Sequence, residues 1–232
     1  MIGDALGQKI ARRIRAEGPI SVAAYMAMVL HDPDEGYYAR RDPIGAQGDF
    51  ITAPEISQVF GELIGLWCAM VWRQLGRPDP VILAELGPGR GVLIGDLLRA
   101  AATVPDFYRA LRLRLVEASG PLRAEQEERL AQFGPKWVPR FEDLPDGPML
   151  IVANEFLDAL PIRQFVRRGP HWSERMVTLD DEDRFVFVAG PPSPIARLLI
   201  PDSLRDSTQQ GALVETCPAA LALAHWENTR NR

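Results

Sequence analysis

A glycine-rich turn between a strand-like run and a helical run constrains the fold of this chain more than any other feature. The turn reads Glu85-Leu86-Gly87-Pro88-Gly89-Arg90-Gly91; it ends the apolar run 81–86 and precedes the amphipathic stretch 92–102. Its glycines let the backbone turn sharply and let a ligand approach without a Cβ in the way. The helix that follows offers unpaired N–H groups at its start. A strand, a glycine turn and a helix in this order indicate a ligand crevice at the edge of a parallel sheet.

The spacing of the glycines favours one class of nucleoside ligand over another. A dinucleotide-binding turn reads G-x-G-x-x-G, and the third glycine would here fall on Val92. A pyrophosphate must lie tight against the helix N-terminus, where Glu85 would repel it. A ligand with a cationic amino-acid end, such as S-adenosylmethionine (SAM), suits the turn better, although the segment taken alone is also compatible with a plain turn. The predicted contacts to the methionine end are Glu85, Gly87, Pro88, Gly89 and Gly91.

A second acidic residue, Glu117, follows the strand-like run 111–116 and is followed by Ala118-Ser119. A carboxylate at the end of the next strand can accept hydrogen bonds from both ribose hydroxyls. It would repel a 2′-phosphate, which argues against NADP. The alternative is a solvated strand-end glutamate. Together with the glycine turn, Glu117 and Ser119 predict a nucleoside-binding crevice.

A third group of polar residues, within segment 154–161, follows the apolar run 149–153. Asn154 offers a carbonyl and an amide, whereas Glu155 and Asp158 offer two carboxylates. A doubly wound sheet places its reacting groups at such strand ends. The alternative is a helix N-terminus at which acidic residues are favoured by the dipole.

Composition excludes several other classes of protein. The 232 residues allow one large domain or one domain with an appendage, and 47% apolar with 25% charged residues is typical of a globular chain. A net charge of −5 argues against a nucleic-acid binder. The three histidines lack ligand spacing, so no metal site is predicted. The longest apolar stretch, 63–72, is too short to span a membrane, no signal peptide is recognised, and two cysteines favour a reducing compartment.

The pattern of elements predicts three segments. Segment 1–78 is a helical lid region, segment 79–162 a Rossmann-like core with strands near 81, 111, 137 and 149, and segment 163–232 an antiparallel insertion and the start of a helix. The first segment is expected to contain one helix that is opened by a capping box at Thr52 and runs to Leu75. Its apolar stripe, with Trp67 and Trp72, is expected to face the core.

Several segments together resemble the MidA-like SAM-dependent methyltransferases, whose mitochondrial members assist assembly of respiratory complex I. The matching segments are 19–21, 25–26, 31–38, 48–62, 85–91, 116–119, 154–161 and 163–165. The resemblance implies an α/β class I methyltransferase fold, SAM as cofactor and a protein arginine as methyl acceptor, possibly a complex I subunit. The location it implies is the cytoplasm in a bacterium or the mitochondrial matrix in a eukaryote.

The resemblance also implies roles for individual residues. Gly48 and Thr52 would belong to a lid on the cofactor side, and residues near Phe141 would flank the adenine. Glu155 and Asp158 would grip the target guanidinium and localise its charge, leaving one nitrogen lone pair available.

One departure from the family pattern is expected to matter. A class I methyltransferase sheet has seven strands in the order 3-2-1-4-5-7-6, and the sequence provides only the first four, so a C-terminally truncated member is predicted. The fourth strand would then be an exposed edge. This leaves open a non-catalytic SAM-binding or assembly module, or an inactive fragment, beside the enzyme. An NAD-linked dehydrogenase is disfavoured, and the sequence does not fix the oligomeric state.

Overall fold

The computed structural model describes residues 4–40, 52–206 and 209–230. The described helices are α1 (Ala5–Glu17), α2 (Val22–His31), α3 (Tyr37–Arg40), α4 (Ala53–Ile56), α5 (Gln58–Gln74), α6 (Val92–Ala101), α7 (Pro105–Ala110), α8 (Gly120–Leu130), α9 (Ala196–Leu199), α10 (Asp202–Arg205) and α11 (Pro218–Arg230). The described strands are β1 (Ile20–Ser21), β2 (Val81–Leu86), β3 (Leu111–Val116), β4 (Lys136–Val138), β5 (Met149–Val152), β6 (Arg163–Arg168), β7 (His171–Leu179), β8 (Phe185–Pro192) and β9 (Leu213–Thr216). Short 3-10 helices span Ala131–Phe133, Phe141–Asp143 and Leu157–Ala159.

The middle part of the chain forms a parallel sheet in the order β4-β3-β2-β5. This is the order 3-2-1-4 that the sequence predicts, so the predicted topology is confirmed over these strands. Leu86 pairs with Val116, Val116 with Val138, and Glu85 with Val152, which brings the carboxyl ends of all four strands to one edge. Strand β2 is buried along its whole length, as expected for a central parallel strand that is apolar throughout. Within the described chain β5 is a terminal strand of this sheet.

The core of this sheet is built from β2, β3 and the helices α5 to α8. Its fully buried side chains include Leu83, Ile94, Leu97, Phe107, Leu115 and Leu130. Cys68 is buried in the same core.

The helix predicted to run from Thr52 to Leu75 is broken, and its buried face differs from the predicted one. Ser57 is extended (φ −153°, ψ 125°), and its hydroxyl accepts a hydrogen bond from the Val59 amide, so it ends α4 and caps α5. The Thr52 side chain makes no capping hydrogen bond, so the predicted capping box is wrong. Trp72 is buried as predicted, but Trp67 is 56% exposed.

Small residues explain why the other face of α5 is buried. A Cβ on Gly61 would lie 2.7 Å from the Asp96 Cβ, and one on Gly65 would overlap the carbonyl oxygen of Leu97. The α5 backbone therefore packs directly against α6, at a distance that large side chains would not allow. The exposed apolar residues of α4 and α5 are Ile56, Val59, Leu63, Leu66, Trp67 and Met70.

A second, antiparallel sheet has the order β1-β7-β6-β9, with β8 paired to β7. Strands β6, β7 and β8 correspond to the three antiparallel strands that the sequence predicts, and the polar turn between β7 and β8 is held by the Asp180 carboxylate, which accepts from the Glu182 and Arg184 amides. Strands β1 and β9 were not predicted. Their two to four residues are too short for an alternating pattern to stand out.

The chain forms two compact units, Met1–Arg40 with Ala159–Arg232 and Arg41–Asp158. The two units are defined by packing, whereas the predicted segments 1–78, 79–162 and 163–232 are defined by sequence pattern. The division into three segments stays a prediction. Within the described ranges, no helix combines the length and the apolar content that crossing a membrane requires. The same ranges contain no cluster of three or more metal-ligating side chains.

Candidate functional site

A buried carboxyl group lies at the end of the central strand. Glu85 is 2% exposed, and its Oε2 has no hydrogen-bond partner among the described residues. Burial raises the pKa of this carboxyl to about 8. A buried polar atom without a partner is costly, so its presence at a strand end indicates a site built for a ligand group.

The glycine turn that follows Glu85 has a backbone that only glycine adopts readily. Gly87, Gly89 and Gly91 have φ values of +62°, +53° and +76°. The Gly87 amide donates to the Val116 carbonyl (3.0 Å) and the Gly91 amide to the Pro88 carbonyl (2.8 Å), which ties the turn to β3 and closes it before α6. Side chains on these glycines would be strained at each position, and a Cβ on Gly91 would also lie 3.0 Å from the Leu130 Cδ1. Backbone conformation and packing therefore both require glycine in this turn.

The end of β3 carries the second predicted carboxylate, Glu117. Its Oε1 accepts from the Ser119 amide (2.8 Å), and its Oε2 lies 3.3 Å from the Nε2 donor of Gln126. Burial raises the pKa of Glu117, and these hydrogen bonds oppose that effect. The Ser119 hydroxyl accepts from the Leu122 amide and caps α8, so its predicted position beside the crevice is accompanied by a structural role.

Gln126 is a site residue that the sequence analysis missed. Its side chain is fully buried and contacts both Gly89 and Glu117, so it joins the glycine turn to the second carboxylate. A signal for it exists in the sequence, because Leu122, Gln126 and Leu130 are spaced four apart and share one face of α8. A glutamine between two leucines on an inner face indicates a polar partner in the core.

The end of β5 places the third predicted group at the same edge of the sheet. Asn154 is half-buried, whereas Glu155 and Asp158 are exposed. Glu155 has φ +53°, a left-handed conformation that is uncommon for a residue with a side chain. This bend turns the chain so that the ring of Phe156 lies against Gly87, where a Cβ would be 2.8 Å from the Phe156 Cδ2. Phe156 was also missed, because its partner is distant in sequence.

The structure describes two of the three remaining predicted residues. Phe141 is half-buried in the 3-10 helix that follows β4, close to the same sheet edge. Thr52 is half-buried at the start of α4. Gly48 lies outside the described residues, so its predicted lid role stays a prediction.

The residues present fit a ligand with a cationic amino-acid end and a ribose. The unpartnered Glu85 oxygen can accept a hydrogen bond from an ammonium group. The Glu117 carboxylate accepts from the Ser119 and Ala118 amides and from the Gln126 side chain, and its remaining capacity to accept is available to a hydroxyl donor. Between the two carboxyl groups the turn presents the backbone of three glycines without side chains.

Comparison with known proteins gives a consistent result. Residues 63–228 match the model of a family described as putative S-adenosyl-L-methionine-dependent methyltransferases. The mitochondrial protein arginine methyltransferase NDUFAF7 of Xenopus tropicalis is 35% identical over 248 residues, covering 95% of this chain and 56% of that protein. The human protein of the same name is 36% identical, covering 90% of this chain and 52% of that protein. The chain thus spans about half the length of these curated relatives.

A solved structure agrees with these sequence matches. This structure is of a Burkholderia thailandensis protein bound to S-adenosyl-homocysteine. It aligns with this chain at a TM-score of 0.80 and 30% sequence identity, and the alignment covers 97% of this chain and 59% of the Burkholderia chain. The chain therefore belongs to the family of putative S-adenosyl-L-methionine-dependent methyltransferases.

Proposed function

We propose that this chain binds SAM at the carboxyl edge of its parallel sheet and provides the cofactor site of a methyltransferase. The observation that carries the proposal is the buried, unpartnered carboxyl oxygen of Glu85 beside three left-handed glycines. The family to which the chain belongs, and the Burkholderia relative bound to S-adenosyl-homocysteine, support the same ligand.

In this proposal the residues act by binding and orientation. Glu85 would hold the ammonium group, the Gly87 to Gly91 backbone would line the methionine part, and Glu117 would accept the ribose hydroxyls. SAM supplies an activated methyl group when bound. Methyl transfer is an in-line displacement, so holding donor and acceptor in line provides much of the rate.

The proposed methyl acceptor is an arginine side chain of a protein. This assignment rests on the names of the curated relatives, which are protein arginine methyltransferases. Glu155 and Asp158 are exposed at the end of β5, where carboxylates can form charge-assisted hydrogen bonds with a guanidinium. Such bonds would hold the positive charge on two nitrogens and leave the third as the nucleophile.

The finer assignments follow from the family resemblance. We propose a complex I subunit as the protein substrate. The relatives are named as mitochondrial, and we propose the mitochondrial matrix for a eukaryotic source and the cytoplasm for a bacterial one.

Titration calorimetry with S-adenosyl-homocysteine tests the proposal. The titration is done near pH 8, where the Glu85 carboxyl ionises when the ammonium group binds. The parent chain is expected to bind with a Kd in the micromolar range, and Glu85→Gln to bind at least about tenfold more weakly, because a charge-assisted hydrogen bond is worth roughly 1.5–3 kcal/mol. Glu128→Gln, which changes an exposed glutamate of α8, is the matched control and should bind like the parent. A parent chain that does not bind the compound would contradict the proposal.

A non-catalytic SAM-binding or assembly module is the second candidate function. The described residues provide the cofactor edge of a four-stranded parallel sheet, and binding of the cofactor requires only that edge. Binding of S-adenosyl-homocysteine without methyl transfer to any arginine-containing protein substrate would favour this candidate over the enzyme.

A further inference from the structure

We propose that Gln126 is a positioning residue that aims the Glu117 carboxylate at the ribose and holds the glycine turn beside it. This inference rests on the proposed function, because it concerns the same cofactor site. Gln126 lies on α8 and is fully buried. Its effect on a ligand would pass through Gly89 and Glu117.

The orientation of the Gln126 amide follows from its third neighbour. The indole Nε1 of Trp137 lies 2.7 Å from Gln126 Oε1. An indole nitrogen can only donate, so the atom facing it must be the amide oxygen. Trp137 thereby fixes the amide with its NH₂ group toward the site.

The two amide hydrogens then have two acceptors. Nε2 lies 2.6 Å from the Gly89 carbonyl oxygen and 3.3 Å from Glu117 Oε2. The first contact fixes the middle of the glycine turn. The second occupies one side of Oε2, while the Ser119 amide occupies one side of Oε1. The Ala118 amide is a third donor to this carboxylate. The capacity to accept that remains is left for a ribose hydroxyl.

A purely structural role would be better filled by an apolar side chain. Leu122 and Leu130 flank Gln126 on the same face of α8, and Leu130 is fully buried. Burying an amide among apolar groups is unfavourable unless all of its hydrogen bonds are made. Here they are made to the turn, to Glu117 and to Trp137, so the network specifies the geometry of the site.

A ligand pair separates positioning from general stability. The probes are S-adenosyl-homocysteine and the same compound without the ribose 2′-hydroxyl, each titrated by calorimetry. The parent chain is expected to bind the complete compound at least about fivefold more tightly, because Glu117 accepts from that hydroxyl. Gln126→Met keeps the length of the side chain and removes the amide. This variant is expected to bind the complete compound about twofold more tightly than the other compound, or less.

The controls make each outcome decisive. Glu128→Met places the same side chain at an exposed position of α8 and should discriminate like the parent. Trp137→Phe removes the donor that orients the amide; it should reduce discrimination as well, and it replaces Gln126→Met if that variant does not fold. When Gln126→Met is combined with Glu117→Ala, the double variant should discriminate between the two compounds as Glu117→Ala alone does.

The inference would be overturned if Gln126→Met weakened the binding of both compounds by the same factor. It would also be overturned if Gln126→Met and Trp137→Phe both kept the parent's ratio of affinities for the two compounds. Either result would leave the proposed function intact. A parent chain that binds neither compound would overturn both.

Discussion

At the residue scale, the burial of Glu85 makes the stability of the fold depend on pH. The pKa of about 8 means that Glu85 is largely neutral near pH 7 in the ligand-free protein, whereas in the unfolded chain it ionises near 4.5. Between about pH 4.5 and about pH 8, Glu85 holds a proton in the folded state that it has lost in the unfolded state. The free energy of unfolding therefore falls as the pH rises through this window.

Replacing Glu85 by glutamine should remove this pH dependence. From about pH 5 to about pH 8, the unfolding free energy of the parent is expected to fall relative to Glu85→Gln by up to about 1.4 kcal/mol per pH unit. Urea denaturation at several pH values measures the difference. Glu117 has a raised pKa in both proteins, so its contribution cancels in the comparison. Parallel stability profiles for the two proteins would show that Glu85 is ionised or solvated in the folded chain.

The two exposed carboxylates at the end of β5 should affect transfer and not cofactor binding. Glu155→Ala and Asp158→Ala are each expected to keep the parent's affinity for S-adenosyl-homocysteine, because both side chains are exposed. Each should lower the transfer rate to an arginine substrate by about tenfold or more, through loss of a charge-assisted hydrogen bond to the guanidinium. Single-turnover assays with labelled SAM measure this. Transfer at the parent rate in both variants would show that their proposed role is wrong.

Some residues of the candidate site could be predicted from the sequence, and others could not. Glu85 and Glu117 could be predicted because each follows an apolar run at a strand end, where position along the chain determines position at the sheet edge. Phe156 could not, because its partner Gly87 lies far away in sequence and nothing local marks the contact. The position of Gln126 between two leucines on one face of α8 indicates a buried polar contact, but its partner Gly89 lies far away in sequence and is not indicated. The left-handed backbone of Glu155 has no local signal either, because the residue is not a glycine.

At the element scale, the contact between α5 and α6 depends on the absence of side chains. A Cβ on Gly65 would overlap the backbone of α6 at Leu97, which cannot move aside as a flexible side chain would. The helices would have to separate, and the buried core between them would loosen.

Gly65→Ala is expected to destabilise the protein by about 1–3 kcal/mol despite the better helix propensity of alanine. Gly95→Ala is the matched control on α6, because its Cβ would meet Leu130 at an ordinary 3.5 Å. That variant should be neutral or more stable by up to about 1 kcal/mol. Thermal or urea unfolding measures both changes, and a Gly65→Ala protein as stable as the parent would refute the close-packing explanation.

The same contact shows why periodicity predicted the wrong buried face for α5. The large apolar residues form a regular stripe, and a stripe normally faces the core. Here the inner face carries Gly61, Gly65, Cys68 and Ala69 with Trp72, and close backbone approach determines which side is buried. Small residues have low hydrophobicity, so a pattern analysis gives them little weight.

At the scale of the whole molecule, the predicted cofactor site lies within one compact unit. Segment 41–158 contains every residue predicted to bind the cofactor and both proposed catalytic carboxylates. It also contains the core around β2, α5 and α6. Sequence pattern indicated where its four parallel strands lie, and the family resemblance supplied their order. The placement of β1 and β9 in the antiparallel sheet was not predicted, because their pairing is long-range.

We expect segment 41–158, produced alone, to fold and to bind S-adenosyl-homocysteine within about tenfold of the affinity of the full chain. The physical reason is that a unit with its own core can fold independently. Circular dichroism and calorimetry test this. The same segment carrying Glu85→Gln is the control for specific binding. An unfolded segment, or a folded one that fails to bind, would show that the site needs the other unit.

The most direct test of the proposed cofactor site is a crystal structure of this chain with S-adenosyl-homocysteine. We expect the ammonium group about 3 Å from a Glu85 carboxyl oxygen and the ribose hydroxyls about 2.7 Å from the Glu117 carboxylate, with the ligand against the Gly87 to Gly91 backbone. Ligand bound elsewhere on the chain, or bound at this edge with Glu85 still unpartnered, would contradict it.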